Sequence, residues 1–158
     1  MNLILVRHAE AVPHGTTDDE LRELTPHGRI QAAALAAALA ARGVTAGAVV
    51  SSPLVRARQT AEALAERFTE GRVTETPYLS IDKFKKRRLT AFAAVQGQET
   101  VVLVGHQPSL GEYAAWLLGA EKAAVPFEKA GAALIRFERS AAKEDGELVW
   151  LVTPEWFL

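Results

Sequence analysis

The sequence predicts an α/β fold: a three-layer α/β/α sandwich around a mostly parallel central sheet, with a late antiparallel strand pair. Three observations predict it. Short runs rich in β-branched residues at 3–6, 48–51 and 101–104 are apolar without alternation, as strands covered on both faces are. Stretches of helical period, with start and stop signals, separate them. Late in the chain, alternating segments at 134–137 and 148–152 flank the polar loop SAAKEDGE, the pattern of an antiparallel pair.

The elements follow in order. After the first strand, Thr25-Pro26 supplies an N-cap and a proline at the first helical position, and Gly43 closes the run AAALAAALAARG. Ser52-Pro53 repeats that start signal behind the second strand. Leu54, Ala57, Ala61, Leu64 and Phe68 then recur at three- and four-residue spacing, so one face packs on the sheet. A weaker strand falls near 72–76 and a further helix around 83–95. Beyond the third strong strand, Pro108 opens a helix with Leu110, Ala114, Leu117 and Leu118 inward and Gly119 as its stop. No repeat, low-complexity linker or composition break divides residues 1–158, which read as one domain.

Composition narrows the function. At 49% apolar and 23% charged residues, the chain has the mix of an ordinary soluble globular protein. Its formal net charge is −1, so no global field draws nucleic acid or anionic lipid, and anion binding must come from locally placed groups. The absence of cysteine excludes disulfides, thiolate zinc sites and a cysteine nucleophile together. The apolar run at 3–6 is too short for a signal-peptide core, and no stretch approaches the ~20 apolar residues of a membrane span. A cytoplasmic location is the expectation, with no membrane partner.

In open α/β sheets ligands bind beyond the carboxyl ends of the strands. Arg7 and His8 follow the first strand; Ser52, Pro53 and then Arg56 follow the second; Gly105 and His106 follow the third. Two arginines and two histidines thus converge on one sheet edge. Arginine keeps its charge and matches phosphate with a planar fork of donors. Helix N-termini after Ser52 and His106 add dipoles of the right sign. One imidazole can attack phosphorus while the second, if protonated, donates to an oxygen as charge develops. Each residue alone has a plainer reading, as solvated edge, surface helix position or core histidine; their joint placement favours a site.

Metal binding is the competing use of histidine. His8, His14, His27 and His106 form no HxxxH or HxxH pair and have no obvious carboxylate partner, so no metal is expected. His14 and His27 read as solvated.

The succession LVRHAE, LTPHGRIQA, SSPLVRARQTAEAL and VVLVGHQPSL resembles that of the histidine phosphatase superfamily, also called the phosphoglycerate mutase-like family. The small size, the RHAE opening and the late KAGAALIRFE segment resemble its compact SixA-type phosphohistidine phosphatases. The resemblance spans almost the whole chain. It implies that His8 is the nucleophile and becomes a transient phosphohistidine, with Arg7, Arg56 and His106 as its phosphate pocket. It also implies an orienting role for Glu10 and no metal or organic cofactor.

The chain departs from larger family members between the second helix and the third strong strand. They carry a carboxylic general acid there, whereas TETPYLSIDKFKKRRLTAFAAV shows no clear acid motif; Glu75 and Asp82 are the candidates. The usual helical lid insertion is also missing. Expelling an alkoxide needs a positioned acid, commonly worth about 10²–10⁴-fold, whereas an imidazole leaves neutral once its other ring nitrogen carries a proton. The expected activity is therefore hydrolysis of protein phosphohistidine. Phosphatase action on small sugar or nucleotide phosphate esters is the alternative, and a non-catalytic phosphate-binding module the second. The basic run KFKKRR (Lys83, Lys85, Lys86, Arg87, Arg88) reads as a solvated helix face, or, if it borders the site, as a guide for an acidic phosphoprotein such as a histidine-phosphotransfer domain. Without interleaved aromatics it does not suggest nucleic-acid binding. A monomer is expected.

Overall fold

The computed structural model describes residues 1–158. Its strands are β1 (Asn2–Arg7), β2 (Ala48–Ser51), β3 (Thr74–Glu75), β4 (Thr100–Gly105), β5 (Ala132–Arg136) and β6 (Glu147–Val152). Its helices are α1 (Pro26–Ala41), α2 (Val55–Phe68), α3 (Lys86–Val95) and α4 (Ser109–Leu117). The strands form one sheet in the order β3-β2-β4-β1-β5-β6. β3, β2, β4 and β1 run parallel, while β5 pairs antiparallel with β1 and β6 antiparallel with β5. This is the sandwich the sequence predicts, late pair included.

β1 shows why its sequence lacks alternation. Leu3 and Leu5 enter one core with Leu89 of α3 and Leu110, Tyr113 and Leu117 of α4. Ile4 and Val6 enter the other with Leu35 and Leu39 of α1 and Ala57, Ala61 and Leu64 of α2. Both faces of the strand are covered, so every position is apolar. Truncating one such leucine to alanine costs about 2–5 kcal/mol in comparable cores.

Local sequence fixes where α1 begins. The Thr25 hydroxyl accepts from the Gly28 amide at 2.9 Å, and Pro26 occupies the first turn. Gly28 lies against the backbone of Glu10, where a Cβ would overlap the Glu10 carbonyl. Thr25 N donates to that carbonyl at 3.0 Å, tying the loop after β1 to the start of α1.

Three predicted helix starts are early. Ser52-Pro53 does not open α2, which begins at Val55 with Leu54 as its cap residue. Ser52 is still in the sheet ladder, its amide donating to Val104 O at 3.0 Å, and its hydroxyl accepts from Leu54 N at 3.3 Å. The helix expected from 83 begins at Lys86, because residues 81–83 form a turn and 84–85 are extended. Pro108 likewise precedes α4 by one residue. No helix is long and apolar enough to cross a membrane.

The register brings the chemistry to one edge. Arg7 lies opposite Gly105, Ser51 opposite Val104, and Val6 opposite Ala132, so β1, β2 and β4 end where β5 begins.

Candidate active site

At this edge opens a cleft of about 670 Å³, walled by Arg7, His8, Arg56 and His106, with Glu10, Asp19, Arg22 and Lys129 around them. The four residues expected to meet do meet. His8 and His106 are 7% and 2% exposed, with ring centroids 5.2 Å apart. Arg56 is 2% exposed, and its Nε donates to His8 Nε2 at 3.3 Å.

The hydrogen bonds assign the tautomer of His8. His8 Nδ1 lies 2.7 Å from the Ala9 carbonyl, which can only accept; Nδ1 therefore carries the proton and Nε2 the lone pair. His106 Nε2 lies 2.8 Å from Ser52 Oγ, which also accepts from Leu54 N; the hydroxyl can serve either tautomer, and where it donates to Nε2 the ring carries its own proton on Nδ1. His106 Nδ1 is buried without a partner, and so is Arg7 Nε; they are the only two such side-chain atoms in the chain. Both belong to cleft residues; Arg7 Nε is a donor, as is His106 Nδ1 in that tautomer, and an oxyanion would satisfy them.

Electrostatics keeps both imidazoles neutral. Burial pushes His8 down to about 4; the Ala9 carbonyl opposes that, and Arg56, Arg7 and Arg22 add to it. Burial pushes His106 down to about 3, helped by His8 and Arg56 and opposed by Asp19. Desolvation also lowers Arg7 and Arg56 from their ordinary value, partly offset by Glu128 and Asp19 respectively. His106 is thus neutral rather than the protonated donor the sequence suggests, and in the tautomer with Nδ1–H it still offers a donor. A bound dianion would restore the stability of the charged form.

Sequence reasoning missed Asp19. It sits in the short helical turn Asp19–Leu21, and its backbone carbonyl accepts from Arg56 Nη1 at 2.7 Å while Oδ2 pairs with Nη2 at 3.2 Å. Oδ1 takes Arg22 Nε at 2.8 Å and stands 3.3 Å from His14 Nδ1. Its partial burial raises the carboxyl, but the hydrogen bond from Arg22 and the charges of Arg56 and Arg22 outweigh that and hold it below the usual range. The i, i+3 spacing of Asp19 and Arg22 was the one available signal, and in DDELRE it looks like any solvated pair. Ser52 was visible only as a residue following a strand.

The acid candidates fall elsewhere. Glu75 is half-exposed and paired with Arg58 at 3.0 Å, outside the cleft. Asp82 is exposed on the turn at 81–83 and is not part of the cleft wall, although its neighbour Ile81 is. Glu10 does line the cleft, yet Oε1 accepts from Thr25 Oγ1 at 2.7 Å; it orients the start of α1 and not His8, whose ring is held by Ala9. His27 is exposed. No three metal-ligating side chains cluster anywhere in the chain.

A buried neutral imidazole with its lone pair on Nε2 stands among arginines, and this chain belongs to the histidine phosphatase superfamily. The model described as histidine phosphatase superfamily (branch 1) matches residues 3–80. An uncharacterised protein from Picosynechococcus is 32% identical over 173 residues, covering 100% of this chain and 99% of its own. The fold is also that of the protein histidine phosphatase SixA solved with tungstate: TM-score 0.83, 24% identity, 98% of this chain and 97% of that one. A phosphoserine phosphatase from Entamoeba histolytica, solved with phosphoserine, follows at TM-score 0.74 and 18% identity, with 99% of each chain covered.

Proposed function

We propose that this phosphatase hydrolyses phosphohistidine on a protein through a covalent phosphohistidine on His8. In the first step the His8 Nε2 lone pair forms a bond to phosphorus as the bond to the substrate's imidazole nitrogen breaks. The leaving ring, protonated on its other nitrogen, departs neutral with the electron pair. In the second step water attacks the phosphoryl group on His8, releasing inorganic phosphate and returning the lone pair to Nε2.

Arg7 and Arg56 neutralise the phosphoryl oxygens throughout, and His106 Nδ1–H adds a donor at the growing charge. The observation that carries this reading is the pairing of the unpartnered nitrogens, Arg7 Nε and His106 Nδ1, with an unprotonated His8 Nε2. The substrate assignment rests on the carboxylates. Asp19 is ionised between Arg22 and Arg56, Glu10 Oε1 already serves Thr25, and neither Glu75 nor Asp82 lines the cleft, which supports a leaving group that needs no positioned acid.

Turnover of phosphohistidine peptides is compared with a panel of sugar, nucleotide and amino-acid phosphate esters. A clear preference for peptides is expected, and a clear preference for esters overturns the substrate assignment. His8→Ala should abolish turnover, and a quench without acid should trap phosphate on His8; full activity in the variant would refute the nucleophile.

A further inference from the structure

We infer that the basic face at 81–88 docks the acidic surface of the protein that bears the phosphohistidine, an inference that rests on the substrate reading above. The segment carries Lys83, Lys85, Lys86, Arg87 and Arg88, and none of them forms an ion pair. Elsewhere Arg22, Arg29, Arg56, Arg58, Arg72 and Lys143 each meet a carboxylate. The one acid within the segment, exposed Asp82, takes no partner either. Arg88 instead lies over the Tyr78 ring, 5.9 Å from its centroid.

The charges are also placed against local preference. Lys86, Arg87 and Arg88 occupy the first turn of α3, which has no acidic residue, so the positive end of the helix dipole repels them. Like charges this close repel one another too. No ion pair within the chain offsets that repulsion, and an external polyanion would.

Position ties the patch to the cleft. Ile81 forms part of the cleft wall and is 51% exposed. Lys83 follows two residues later, which keeps its Cα within about 8 Å of that of Ile81. Just before, Leu79 packs against Gly105 at the end of β4. On the other side Lys129, also unpaired, lines the cleft just before β5. Ile81, at the start of the basic segment, and Lys129 thus both line the cleft that holds His8. The acidic flanks of a phosphohistidine seated in the cleft would meet both the basic segment and Lys129. Tyr78 and Phe84 pack on the core and leave no free aromatic to stack on bases. Ile81 alone is too little apolar surface for a lipid interface.

The test uses two synthetic phosphohistidine peptides with the same core, one flanked by glutamates and one by glutamines. The protein should turn over the glutamate peptide with a kcat/KM about 10-fold higher at low salt, through KM, with the ratio falling toward one in 0.5 M salt. The variant Lys83→Gln/Lys85→Gln/Arg87→Gln should lose that ratio while keeping its rate on the glutamine peptide. Equal turnover of both peptides by the unmodified protein, or an unchanged ratio in the variant, overturns the docking face and leaves the substrate reading standing. Failure on both peptides with turnover of small esters overturns both. Cosedimentation with phosphatidylserine vesicles that the triple variant loses would assign the patch to a membrane instead.

Discussion

The two buried imidazoles should make the stability of this protein fall steeply in mild acid. Both have folded-state values below the ordinary 6.5, about 4 for His8 and about 3 for His106. Between those values and 6.5 the unfolded chain binds more protons than the folded one, so stability is complete above 6.5 and drains away as pH falls toward 4 and then 3. At pH 5 each unfolded histidine is almost fully protonated while each folded one is largely not. From pH 7.5 to pH 5 that difference amounts to about 1.5 pH units per histidine, or about 2 kcal/mol each and about 4 kcal/mol for the pair.

Urea denaturation at a series of pH values measures it. With a slope of about 2 kcal/mol per molar, the midpoint should fall by about 2 M over that interval. A His8→Asn/His106→Asn variant should lack this loss, because other titrating groups act equally in both proteins and cancel. Saturating inorganic phosphate should flatten the profile of the unmodified protein, since a dianion in the cleft favours protonated imidazole. Identical pH slopes for protein and variant would refute the reasoning, and with it the claim that burial keeps His8 neutral and nucleophilic.

Other outcomes follow from single contacts. Asp19→Asn removes the carboxylate that fixes Arg56; because Asp19 is 45% exposed, stability should change by no more than about 1 kcal/mol in thermal melts. Its kcat/KM should nonetheless fall about 10- to 100-fold as the guanidinium loses its geometry. Ser52→Ala leaves His106 Nε2 buried without its hydroxyl partner, which should cost about 1–3 kcal/mol in urea titrations. Gly28→Ala drives a methyl into the Glu10 carbonyl and should cost about 1–3 kcal/mol, with a matching loss of activity as the loop after His8 shifts.

Much of the site was legible because strand ends are. A run such as LILV must be buried on both faces, so the polar residues that follow it, Arg7 and His8, have to emerge at the sheet edge. The same holds for Ser52 and His106. Arg56 was legible through its place in the first turn behind β2. Helix starts were read less well, because Ser52-Pro53 carries a capping signature while the Ser52 hydroxyl is committed to His106 and its amide to β4. The side-chain roles of Glu10, Glu75 and Asp82 were not legible, since a carboxylate's partner depends on the neighbours folding brings.

The sequence by itself determined the layered fold, the edge where chemistry gathers and four residues of the cleft. Those follow from local periodicity and from the rule that covered strands deliver their ends to one side. Tertiary structure alone decided the tautomer of His8, the contact of His106 with Ser52, the ionised state of Asp19 and the burial of Arg56. These depend on contacts between residues far apart in the chain, such as His106 with Ser52 and Arg56 with Asp19. Such pairings leave no periodic trace in a sequence, because a hydrogen bond needs two atoms to meet and not a repeating pattern.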